Sequence, residues 1–103
     1  SESLAELLDA APEDLDALRL MGATLQHLDE FEEAEEIYER LMRAAPKDKL
    51  IQSIGLSNLG HVHEALGDFG ESERLYRRAL SFDEKLGRLS SVASLCRSLA
   101  GLH

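Results

Sequence analysis

Cysteine occurs once in the 103 residues, tryptophan not at all, and proline only twice. The single Cys96 excludes an internal disulfide framework and a multi-cysteine metal centre. β-Branched residues are scarce too: three Ile, two Val and one Thr stand against 20 Leu. Sheets draw on such residues, and no stretch alternates apolar and polar side chains long enough for a convincing strand. No apolar run approaches the roughly 20 residues that cross a bilayer. No basic-then-apolar start suggests a secretory signal. Basic charge is also short, with 11 Lys and Arg against 20 Asp and Glu, net −9. That imbalance argues against a nucleic-acid backbone or an anionic membrane surface as the main partner. The length matches one core rather than two. The expectation is a soluble, acidic, cytoplasmic chain forming one domain over 1–103.

What is abundant favours helix, and it repeats. Leu7-Leu8-Asp9-Ala10-Ala11-Pro12 returns as Leu41-Met42-Arg43-Ala44-Ala45-Pro46, a shift of 34. Phe31-Glu32-Glu33-Ala34-Glu35-Glu36-Ile37-Tyr38 returns as Phe69-Gly70-Glu71-Ser72-Glu73-Arg74-Leu75-Tyr76, a shift of 38. Leu56, Leu59, Gly60 and His63 map onto Cys96, Leu99, Ala100 and His103, a shift of 40. A drifting period fits helical pairs with elastic connections, because a one-residue slip in a strand would flip its buried face.

The spacing predicts an all-α chain of about six helices, over 2–10, 13–28, 31–44, 49–66, 69–86 and 89 to the end. Apolar residues recur at threes and fours, as in Leu15, Leu18, Met21 and Leu25, so each helix carries one apolar stripe. Gly22, Gly60, Ala34 and Ser72 lie within those stripes and allow close helix approach, Gly22 against Ala34 and Gly60 against Ser72. Asp29-x-x-Glu32 and Asp68-x-x-Glu71 each have the form of a capping box.

These residues resemble tetratricopeptide repeats, whose pattern runs from a large residue through Leu-Gly and Tyr to Ala, an aromatic residue and Pro. One full repeat over 13–48 supplies Leu18, Met21-Gly22, Leu25, Ala34, Tyr38 and Pro46. A second over 49–88 supplies Leu56, Leu59-Gly60, His63, Ser72, Tyr76 and Ala79, and is of a longer, roughly 40-residue kind. Half repeats flank them over 1–12 and 89–103. The resemblance implies helical hairpins stacked in a right-handed superhelix, with the first helix of each pair lining a concave face. It implies a protein-binding scaffold that holds a peptide or helical segment there. Carried over position by position, that face presents Asp16, Arg19, Ala23, Gln26 and His27, then Ile54, Ser57, Asn58, His61 and Glu64, then Ser94 and Arg97. Arg19, Asn58 and Arg97 are suited to a peptide carboxylate and backbone. Ala23 stands where members that clamp a C-terminal carboxylate carry an asparagine.

Other residues point to packing rather than chemistry. His61-x-His63 lacks the i,i+4 spacing of a helical metal pair. Cys96 falls at a packing position and is expected to be a buried thiol. Glu30–Glu39 holds six glutamates, and residues 1–45 carry 13 acidic against 3 basic side chains, net −10, whereas 46–103 carry 7 against 8, net +1. This asymmetry is a solvated outer face, or a field that steers a basic partner to the N-terminal half. No phosphate-binding loop, nucleophile elbow or metal-ligand set is present, so neither enzymatic activity nor a cofactor is expected. The alternative to peptide binding is a structural or self-assembling segment of a longer helical-repeat protein. It follows from the ends, where Leu4, Leu7 and Leu8, and Leu95, Leu99 and Leu102, each lack a neighbouring helix in the repeat register. Homo-oligomerisation through the terminal helices is the associated expectation.

Overall fold

A computed structural model describes residues 15–102. Among them, five helices and no strand are present: α1 (Leu15–His27), α2 (Phe31–Ala44), α3 (Lys49–Ala65), α4 (Phe69–Leu86) and α5 (Leu89–Leu102). Each helix packs on the next. The expected helix over 2–10 and half repeat over 1–12 lie outside the described residues.

Helix limits follow local chemistry. Asp48 caps α3, its carboxylate accepting from the amides of Leu50 and Ile51 at 3.0 and 3.2 Å. Asp68 caps α4 by accepting from the Glu71 amide. Only half of that capping box forms, because both Glu71 carboxylate oxygens go to Arg74 instead. The box expected at Asp29 does not form. Asp29 has a left-handed backbone (φ 60°), and Glu30 takes the N-cap position of α2 without a side-chain cap bond. The 38-residue shift explains this. Asp29 aligns with Gly67, which turns left-handed at φ 86°, so the residue that matches Asp68 is Glu30. Gly87 ends α4 in the same left-handed conformation, where a glycine avoids the Cβ clash.

The core is one cluster running through the stack. Leu18, Met21 and Leu25 of α1, Ala34, Ile37, Tyr38 and Leu41 of α2, and Ile51, Leu56, Leu59 and Val62 of α3 are all buried. Leu75, Tyr76 and Ala79 of α4 and Leu95 of α5 complete it. The glycines in the stripes do permit close approach, but mainly to the tyrosines. A Cβ on Gly22 would lie 2.6 Å from the Tyr38 ring, and one on Gly60 would lie 2.6 Å from the Tyr76 ring. Ser72 still meets Gly60, donating its hydroxyl to the Gly60 carbonyl at 2.7 Å. Gly55 is a third such site, where Met42 of α2 passes against α3.

At α5 the expected register is corrected. Cys96 is exposed, not buried, and Leu95 occupies the core. Leu56, which matches Cys96 at the 40-residue shift, is fully buried in the α3–α4 hairpin. Among the described residues no helix follows α5 to bury Cys96 in the same way. Leu95 and Leu99 therefore do not lose their contacts: both pack against the core. The open face is instead the row Leu89, Ala93, Cys96 and Ala100, all exposed.

Candidate functional site

Helical geometry gives α3 two working sides. With 3.6 residues per turn, Ile54, Ser57, Asn58 and His61 share one side and Gln52, Leu56, Leu59 and His63 the other. The first side faces a trough running across α1, α3 and α5. At its α1 end, Asp16, Arg19, Leu20, Ala23 and Tyr38 meet Ile54 and Asn58 around a cavity of about 440 Å³. Ala23 also borders a shallow depression of about 280 Å³ with Gln26 and His27. Ile54 and Asn58 continue into a smaller cavity of about 130 Å³, which adds Ser57, His61 and Ser94.

Ten of the twelve expected groove residues thus line three adjoining cavities. The other two are placed differently. Glu64 accepts from the Tyr76 hydroxyl at 2.9 Å and serves as a strut behind the trough. Arg97 is exposed and borders none of the three cavities, so it is not brought together with Arg19 and Asn58. Arg19 stands 3.8 Å from Asp16, one turn away on the same surface.

Tyrosines of the second helices support the trough: Tyr38 lines its α1 end, and Tyr76 bonds to His61, which lines the smaller cavity. Tyr38 donates its hydroxyl to Gln26 Oε1 at 2.5 Å. Burial raises the Tyr38 phenol to about 12, with the Arg19 charge acting weakly the other way. Tyr76 touches both His61 Nδ1, at 2.6 Å, and Glu64, and its phenol is likewise raised, chiefly by burial. Burial lowers the pKa of His61, opposed by Glu64. His61 meets the Tyr76 ring edge-on at a centroid distance of 5.2 Å.

Residues that sequence spacing does not select also contribute. Ser53, Asp83, Arg88, Ser91, Leu95 and Ser98 line the smaller cavity. Ser91 and Ser98 lie one turn either side of Ser94, and helical spacing alone places them on its face. Asp83 has no such signal, since it lies on a second-type helix and its partner Ser53 is 30 residues away.

On the opposite side, α3 floors a separate cavity of about 410 Å³ between α2 and α4, with Met42, Leu56, Leu59 and Leu75 below charged walls. His63 belongs there, its Nε2 2.7 Å from Glu35 of α2. His61 and His63 therefore face different surfaces. Among the described residues, no three His, Cys, Asp or Glu side chains are grouped so as to hold a metal, and no helix is long and apolar enough to cross a membrane.

Two stacked hairpins, a glycine-on-tyrosine contact in each and a trough lined by the first helices define a helical-hairpin repeat scaffold. The tetratricopeptide repeat family matches residues 13–85, and the chain belongs to that family. No curated protein matches the chain.

Proposed function

We propose that this repeat scaffold binds a protein segment in the trough across α1, α3 and α5, and that it acts by holding that segment rather than by catalysis. The observation that carries this reading is the continuity of the cavities: Ala23, Ile54 and Asn58 each border two of them. An extended segment laid across the trough would meet side chains from three helices that are well separated in sequence. Gln26, Ser57, Asn58 and Ser94 offer neutral polar groups for main-chain contacts. The test is selection from a displayed random peptide library. Ala23→Arg and Ser94→Arg place bulk at two exposed positions and spare the core. Together they should weaken the selected peptides about tenfold or more without changing helicity. Unchanged binding would move the interface elsewhere.

Association through α5 is a second reading, favoured by one observation. Leu89, Ala93, Cys96 and Ala100 form an exposed stripe at helical spacing, and Leu89 is 79% exposed. Burying such a stripe against another copy gains about 25 cal/mol per Å². Sedimentation over a wide concentration range should show association that Ala93→Glu with Cys96→Glu abolishes. A strict monomer at every concentration would dismiss it.

A further inference from the structure

The small cavity between α3, α5 and the end of α4 has a specific hydrogen-bonding character. Its buried floor is Asp83, 2% exposed, and Ser53, 1% exposed. Ser53 donates its hydroxyl to Asp83 Oδ1 at 2.5 Å. Ser57 donates its hydroxyl to the Ile54 carbonyl at 3.2 Å. Each serine has one proton and two lone pairs, so both donors are spent inside the protein and the acceptor sites remain. Asn58 spends one N–H on the same Ile54 carbonyl, at 2.9 Å, and keeps its second N–H and its Oδ1.

Proton bookkeeping assigns His61 the same character. The Tyr76 hydroxyl has one proton; Glu64 Oε1 and His61 Nδ1 lie against it, and the Ser72 and Ser98 hydroxyls also bond to it. An ionised carboxylate only accepts, so the tyrosine proton goes to Glu64. His61 must then donate from Nδ1 to the phenol oxygen, which leaves Nε2 as an acceptor on an uncharged ring. Burial of the imidazole favours that uncharged form. The chain already supplies one cation to this floor: Arg88, at the rim, donates from Nη1 to Asp83 Oδ1 at 3.2 Å. Arg88 is only half-buried.

We infer that this cavity is a subsite for a primary ammonium group on an alkyl stem, the side chain of a lysine in the bound segment, received by Asp83 with Ser53, Ser57, Asn58 and His61. The inference rests on the trough being the binding face, and it names what that face selects at its α5 end. A volume of about 130 Å³ holds several water-sized groups at about 30 Å³ each, which accommodates an ammonium and the last carbons of its stem. Ser91, Ser94 and Ser98 form a neutral wall beside it. A carboxylate would find Arg88 at the rim and the second Asn58 N–H, but at the floor it would face the buried Asp83 charge and the spent donors of Ser53 and Ser57. The overall charge of −9 adds a long-range pull on a basic segment.

The probe is n-butylammonium, followed by amide chemical shifts of the full chain, with n-butanol and butyrate as matched neutral and anionic controls. Saturable shifts should appear at Ser57, Asn58, Ser94 and Leu95 with the ammonium and not with either control. Asp83→Asn keeps the shape and the Ser53 contact while removing the charge, and should weaken the response about tenfold. Arg88→Ala removes the resident cation, frees the Asp83 carboxylate for the probe, and should strengthen the response. Equal shifts with n-butanol, a response no greater at these amides than along Glu32–Glu39, or indifference to Arg88→Ala would overturn the assignment. Because the probe has no peptide backbone, a negative result here beside successful peptide selection rejects the lysine subsite alone. The reverse pairing rejects the peptide trough, and with it the lysine assignment, and leaves an ammonium-binding cavity.

Discussion

Tyr76 packs against Gly60, so close that a single added carbon at Gly60 would come within 2.6 Å of the ring. Tyr38 stands in the same relation to Gly22. Both rings are at most 1% exposed, and their hydroxyls are fixed on Gln26 and on His61 with Glu64. The close approach thus joins packing to function, because the ring that locks each hairpin also ends beneath the trough.

Gly22→Ala and Gly60→Ala should each destabilise the chain. Alanine gains about 1 kcal/mol in helix propensity, but overpacking against a fixed ring costs about 1–3 kcal/mol. Gly55→Ala should cost less, because the neighbour there is the adaptable side chain of Met42. Urea unfolding of the three variants tests the ranking. Equal effects at Gly55 and Gly60 would contradict it.

The turns within the two hairpins give a second prediction. Asp29 holds a left-handed conformation that Gly67 holds in the matching turn. An L-residue pays roughly 1–2 kcal/mol there, and glycine avoids that clash at some entropic cost. Asp29→Gly should therefore raise stability by up to about 1 kcal/mol, seen as a higher urea midpoint. Gly67→Asp should lower it. A loss of stability in Asp29→Gly would mean that the Asp29 side chain contributes more than the turn geometry implies.

The buried phenols give a pH prediction. Tyr38 is raised to about 12, and an unfolded tyrosine titrates near 10. The native state holds this proton more tightly, so its stabilising contribution is complete below about pH 10 and is lost as pH rises through about 12. Tyr38 and Tyr76 are the only tyrosines, so phenolate absorbance reports them alone. The native chain should show little phenolate at pH 10, and urea should release it. Ordinary titration of both phenols in the native chain would contradict their placement.

Much of the fold was legible because helical periodicity survives in single residues. The starts of α2 through α5 follow from Phe31, Lys49, Phe69 and Leu89. Ten of the twelve positions carried over from the repeat pattern border the three cavities, because residues three and four apart share a side of a helix. What was not legible came from contacts that no local spacing encodes. Asp83 meets Ser53 across two helices, and the outer cavity joins side chains of α2, α3 and α4. Cys96 misleads for a different reason: the repeat register predicts a packing position, but burial depends on a neighbouring helix that is not present among the described residues.

The most direct test of the trough is to map a library-selected peptide by amide chemical shifts. The account predicts shifts concentrated at Ala23, Gln26, Ile54, Asn58 and Ser94, on the three first-type helices. Shifts centred on Met42, Leu59, Leu75 and Arg78, which line the outer cavity, would contradict it and place binding on the opposite side of α3.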